Sequence, residues 1–298
     1  MKKSKRVILS FMLPCILSLL LMFVYPVLRT IIMSFFKMES ITSDVSTWEF
    51  IGFENYTAAF NSKAFMISLW NVFRIWAYGG IVTLGIALLF AVILTSGIRF
   101  KKFFRAAIYL PNVISAVALA TMWTQFVYNG DYGLLNKILG VFGVDAVKWL
   151  GSDMKFWSML AAFSFGSVGY FMLIFISGIE QIPGHLYEAA TIDGANKVRQ
   201  FGSITLPLLK GVIKTNITFW TIGAVGFFLW SKMFSPIKTE SSTIAPVNYL
   251  YDMVFVGIST DSPRDPGGGA AVGVILAIII ALVYLIVNKI FKDDDLEL

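Results

Sequence analysis

Charge-free runs recur along this chain at lengths that decide its class. Residues 7–28, 75–98, 106–130 and 156–179 contain no Asp, Glu, Lys or Arg. A fifth run, 215–231, is shorter and is bounded by Lys214 and Lys232, whose long stems can carry their charges to a polar boundary. A sixth, 266–288, is apolar from Ala270 onward. A bilayer core of about 30 Å needs about 20 apolar residues as helix. The pattern therefore predicts six transmembrane helices, over about 7–36, 67–98, 103–128, 155–179, 211–234 and 268–291. They form a single membrane domain over 1–298, with one long connection at 180–210. No stretch alternates in the ten-residue manner of a membrane barrel. Helices satisfy every backbone group inside lipid, so the expected fold is all-α.

Composition agrees. The chain is 57% hydrophobic, 15% aromatic and 14% charged, with a mean hydropathy of +0.75. Soluble domains run nearer 45–50% apolar and about 25% charged. One cysteine and one histidine exclude an intrachain disulfide and any multi-cysteine or multi-histidine metal site. The first run begins MKKSKR and contains Pro14-Cys15. It continues well past Cys15, beyond the length of a signal-peptide core, so it reads as a span.

The net charge of +6 sorts by side. Fourteen of the 24 basic residues fall on one side: at the N-terminus, at 99–105, at 197–214 and at the C-terminus. Eleven of the 18 acids fall on the other. The positive-inside rule then puts both termini in the cytoplasm. Topology accounts for the basic balance, and no aromatic-interleaved basic patch suggests nucleic acid. The opposite segments, near 37–66, 128–155 and 235–266, are modest, and 262–269 (SPRDPGGG) reads as a turn before the last span.

One connection is not generic. In IEQIPGHLYEAATIDGANKVRQFGSITLPLLKG, residues 179–211, Pro183 and Gly184 stop the fourth helix. A short helix follows over 185–192, Gly194 permits a turn, and Asn196 can cap a second helix. Pro207 resets the chain before the fifth span. The reading is a helix–turn–helix with small and apolar positions on one face and Glu188, Asp193, Lys197 and Arg199 around them. Periodicity alone is equally compatible with an ordinary interfacial connection.

Glu188-Ala189-Ala190, Asp193-Gly194-Ala195 and Ile204-Thr205-Leu206-Pro207 resemble the EAA loop of bacterial ABC importer permeases. Phe23-Val24-Tyr25-Pro26, Gly52-Phe53-Glu54-Asn55-Tyr56 and Leu110-Pro111-Asn112-Val113-Ile114-Ser115 are similar to the carbohydrate-uptake group of that family. Asp131-Tyr132-Gly133-Leu134-Leu135-Asn136 and Trp149-Leu150-Gly151 extend the likeness over nearly the whole chain. Residues 235–250 depart from the family's glycine-rich pattern. The resemblance is to the first membrane subunit of maltose- or glycerol-phosphate-type importers.

It implies a type I importer permease fold whose EAA loop is a coupling helix in a groove of a cytoplasmic ATPase. Glu188 would be the acid that bonds there and Gly194 the turn, with Ala189, Ala190, Asp193, Ala195, Leu206 and Pro207 completing the contact. The implied partners are a second homologous permease, an ABC ATPase dimer and an extracellular or periplasmic sugar-binding protein. The implied location is a bacterial inner membrane. ATP and Mg would belong to the ATPase, because this chain has no GxxxxGK[ST] loop and holds no cofactor of its own.

A sugar site needs hydrogen-bonding side chains and flat aromatic faces. On the fourth span Phe163, Ser167 and Tyr170 share one face; on the fifth, Trp220, Ala224 and Phe227 do. These six are the candidate pathway residues, with Asn112, Ser115, Thr121 and Gln125 on the third span behind them. Gly166 and Gly169 offer the competing reading, close helix packing. A non-sugar polar solute is the nearest alternative. A secondary transporter would want ionisable groups deep in the spans, where only Arg29 and Arg74 come near. A membrane enzyme would want a nucleophile–base set, for which His185 alone does not suffice.

Overall fold

A computed structural model of the chain describes residues 2–257 and 264–291. The last expected turn, in part, and the C-terminal seven residues lie outside them.

In chain order the elements are α1 (Phe11–Met33), β1 (Phe36–Lys37), β2 (Glu49–Phe50), α2 (Glu54–Asn61) and α3 (Lys63–Thr95). Next come α4 (Lys101–Val113), α5 (Ala116–Val127), α6 (Leu134–Val141) and α7 (Lys155–Ile179). Then follow α8 (Gly184–Ile192), α9 (Lys197–Gln200), α10 (Lys210–Val225), α11 (Phe228–Phe234), α12 (Pro246–Tyr251) and α13 (Pro266–Ile290). Four of these, α1, α3, α7 and α13, are long and apolar enough to cross a membrane unbroken.

The expected third and fifth spans are not single rods. Helix α4 meets α5 at a 96° bend, and α10 meets α11 at 46°. Pro111 supplies no amide near the end of α4, and Ile114 and Ser115 turn extended, with ψ of 139° and 138°. Ser115 then caps α5, its Oγ accepting from the Ala118 amide at 3.2 Å. At the second bend Gly226 and Phe227 leave helical geometry, with ψ of 20° and 52°. Beside the helices, the two-residue strands β1 and β2 pair antiparallel, Phe36 opposite Phe50 and Lys37 opposite Glu49.

The chain falls into two compact units, 1–66 with 249–278 and 67–248 with 279–298. In the first, Asn55 donates its amide to the Ser34 and Phe36 carbonyls at 2.9 and 3.0 Å, fastening α2 to the strand. The segment around 266–269, expected as a turn, starts α13 instead. Asp265 accepts from the Gly268 amide at 2.8 Å, a helix cap. The glycines serve packing there: a Cβ on Gly267 would overlap the Phe36 carbonyl.

In the second unit α7 is the central rod, buried along most of its length. A Cβ at Gly169 would overlap the Ile108 carbonyl, and one at Gly166 would lie 2.8 Å from Leu119. These are close-approach positions where α4 and α5 press on α7, in the small-residue manner of membrane helices.

Candidate functional site

Between the fourth and fifth crossings the chain builds a braced helix–turn–helix. Pro183 precedes α8, which ends at Asp193. Gly194 takes φ 78°, and a Cβ there would meet nothing within 4 Å, so conformation and not space demands glycine. The Ala195 amide closes the turn on the Ala190 carbonyl at 2.8 Å. Asn196 caps α9, accepting from the Arg199 amide at 2.9 Å.

The brace comes from residues that periodicity did not single out. Gln200 is 3% exposed. Its side-chain nitrogen donates to Thr191 Oγ1 at 2.9 Å and to the Ala195 carbonyl at 3.1 Å, across the turn. Thr191 donates onward to the Tyr187 carbonyl at 2.7 Å. The Tyr187 and Thr205 hydroxyls share a hydrogen bond of 2.9 Å. A glutamine nine residues from its threonine carries no helical periodicity, so only the folded turn reveals the pair. Arg105 on α4 reaches Glu180 at 2.7 Å, just before the loop.

Glu188, Ala189, Asp193 and Gly194 are exposed on this element, as are Leu206 and Pro207; Ala190 and Ala195 are half-buried. Ile192 and Val198 project almost bare, at 87% and 79% exposure. Pro207 lies in a short turn that ends at Leu209, where ψ is 2° and the helix breaks before α10 begins. A π-helical turn, Phe201–Thr205, runs straight into the Leu206–Leu208 turn, and its wider winding admits a residue without an amide. The result is a hydrogen-bonded, apolar-tipped projection with an acid, Glu188, on its exposed face.

The six pathway candidates separate. Trp220 is 1% exposed and donates its indole N–H to the Trp76 carbonyl at 2.9 Å. A Cβ at Gly79 or Gly80 would lie 2.8 Å from its ring atoms. Phe163 and Phe171 cover it from α7, with ring centroids 5.4 and 5.8 Å away. Ala224 and Phe227 are also buried, and Phe163 packs edge-on against Phe227 at 4.8 Å. Trp220, Ala224 and Phe227 are buried and Phe163 is half-buried against them, so these four pack chiefly on one another. The expectation of a Trp220 platform gives way to this packing.

Tyr170 differs. It is 38% exposed and lines a cavity of about 420 Å³ with Tyr109, Ser177, Gln181 and Thr215. Ser167, one turn away, donates to the Phe163 carbonyl at 2.8 Å and keeps its acceptor lone pairs. On the third crossing Asn112 donates to the Gly166 carbonyl at 3.4 Å and Thr121 to the Val117 carbonyl at 2.8 Å, both within the protein.

Four unbroken apolar helices and two bent pairs, with a braced helix–turn–helix after α7, define a multi-pass membrane protein. Residues 81–293 match the family model described as binding-protein-dependent transport system inner membrane component, and the chain belongs to that family. It is 32% identical over 292 residues to the arabinooligosaccharides transport system permease protein AraP of Bacillus subtilis, covering 95% of this chain and 89% of that one. It is 31% identical over 260 residues to the diacetylchitobiose uptake system permease protein NgcF of Streptomyces coelicolor, covering 82% and 72%. In fold it matches a chain from the crystal structure of a bacterial ABC transporter involved in alginate import, at TM-score 0.83 and 20% identity over 98% of this chain and 97% of that one. That is the type I importer permease fold.

Proposed function

We propose that this chain is one membrane subunit of an ATP-driven importer for a sugar, in particular an oligosaccharide. It would pair with a second permease and stand in a bacterial inner membrane with both termini in the cytoplasm. The basic segments 2–6, 99–105 and 197–214 favour that orientation. The relatives named for arabinooligosaccharides and diacetylchitobiose support the sugar class.

The observation that carries the reading is the projection around Gly194. Its apolar tips Ile192 and Val198 and its exposed Glu188 suit a groove on a separate ATPase, and Gln200 keeps it stiff enough to transmit force. The ATPase would supply the nucleotide and Mg. A binding protein delivering sugar from outside is supported by the family's description. Closure of two ATPases would draw the paired projections together and switch the bundle between inward- and outward-open packings. Tyr170 and Ser167 are the proposed first contacts for the sugar.

The test is purification of the chain with its neighbours. ATP hydrolysis should follow an associated ATPase subunit and rise when a sugar-loaded binding protein is added. Glu188→Ala should abolish that stimulation while the chain remains in the membrane at normal level. Unchanged sugar-stimulated hydrolysis in Glu188→Ala overturns the docking role.

A further inference from the structure

We propose that the cavity beside Tyr170 is a second saccharide subsite, which holds further units of a neutral oligosaccharide on the projection side of Tyr170. The proposal rests on the sugar-importer reading above and adds chain length and charge class to it.

The cavity wall is a stripe on α7. Tyr170, Leu173, Ile174 and Ser177 recur at three- and four-residue intervals on one face of α7, and Gln181 follows in the turn just past its end. Tyr109 enters from α4 and Thr215 from α10. The Tyr109, Tyr170 and Ser177 hydroxyls and the Gln181 side-chain amide have no hydrogen-bond partner among the described residues. The contrast with the Trp220 core is direct, since there Trp76, Trp220 and Thr221 all donate to protein acceptors. Tyr170 and Ser177, left open on a membrane-crossing helix, belong beside a water-filled or ligand-filled space, because lipid cannot satisfy them.

The donor set fits a glycan. Hydroxyls and one amide can bond sugar hydroxyls, while two phenol rings and Leu173, Ile174 and Val212 offer apolar surface to ring C–H faces. From Tyr170 to Ser177 the helix advances about 10 Å at 1.5 Å per residue, longer than a single sugar ring. No Asp, Glu, Lys or Arg lines the cavity. An acidic glycan would find no counter-charge, so the fit is to a neutral one.

The full complex, reconstituted in proteoliposomes, would be assayed with malto- and arabino-oligosaccharides of two to five units and with acidic mannuronate oligomers. The double variant Ser177→Ala/Gln181→Ala should lower uptake of the longest neutral sugars about tenfold and leave the shortest within twofold, since two hydrogen bonds are removed. Its yield and sugar-free ATPase rate should match the parent. Independently of transport, the Ser177→Cys variant in a Cys15→Ser background should react with a membrane-impermeant maleimide in inside-out vesicles. Equal loss at every length, no loss at any length, uptake of the acidic series alone, or no maleimide labelling of the Ser177→Cys variant each overturns the subsite. A parent complex that imports none of the sugars overturns the sugar reading itself, and the subsite with it.

Discussion

The indole N–H of Trp220 donates to the carbonyl of Trp76 at 2.9 Å, and the indole of Trp76 donates in turn to Thr221 at 2.9 Å. The Trp76 carbonyl lies in a π-helical turn, Ile75–Gly79. Gly79 and Gly80 leave room for the ring. Gly80→Val would drive a side chain into the Trp220 ring, and overpacking of this kind costs about 1–3 kcal/mol. The melting temperature of the detergent-purified complex should fall clearly. Trp220→Phe keeps an apolar ring and loses one hydrogen bond, a smaller loss of about 1 kcal/mol. Equal melting of both variants and the parent would contradict the tight junction.

Gly194 tests conformation apart from space. Its φ is 78°, yet a Cβ would meet nothing within 4 Å. Gly194→Ala should therefore cost about 1–2 kcal/mol from the left-handed backbone alone. Gly194→Asn should cost less, because asparagine visits that region more readily. Sugar-stimulated ATP hydrolysis should rank glycine above asparagine above alanine, and Gly194→Pro should fall below all three. Matched rates for alanine and asparagine would mean that the turn re-forms with another geometry.

Gln200 should matter as much as the exposed acid, though it is buried. Gln200→Leu leaves the Ala195 carbonyl without its partner, an orphaned acceptor worth about 1–3 kcal/mol. Proteolysis within 185–205 should quicken and coupling should weaken, while the crossings keep their melting behaviour. A loop as resistant as the parent's would show that the brace is dispensable.

The segment 235–248 offers a comparison of two fastenings. Lys155 meets both Glu240 oxygens, at 2.6 and 2.8 Å. Asn71, 3% exposed, donates to the Ser241 and Ile244 carbonyls at 2.8 and 3.0 Å. Because the Glu240 side chain is 43% exposed, its ion pair is partly screened, and Glu240→Gln should cost under about 1 kcal/mol. Asn71→Leu orphans two carbonyls and should loosen the segment more, read as faster hydrogen exchange over 241–248. The reverse order would assign the fastening to the ion pair.

Much of this architecture was legible in the hydrophobic runs, because the demand of a bilayer for about 20 apolar residues is a length rule that a sequence displays directly. The turn at Gly194 and the cap at Asn196 were legible for the same kind of reason: backbone preference is local. The bends were not. Pro111 marks a place where a helix can fail, but the 96° angle depends on Ser115 finding the Ala118 amide and on α4 lying against Gly169.

Residue order alone was enough to show that the chain crosses a membrane as helices, which periodic side chains share a face, and where the braced projection leaves the bundle. What each face meets came from the packing of distant segments. Trp220 and Tyr170 carry similar chemistry on neighbouring crossings, yet one is enclosed by Phe163, Phe171 and the Gly79–Gly80 backbone and the other opens into a cavity. Periodicity fixes an angle about a helix axis and says nothing about the neighbour at that angle. For Trp220 that neighbour is Trp76, far away along the chain, and only folding brings the two together.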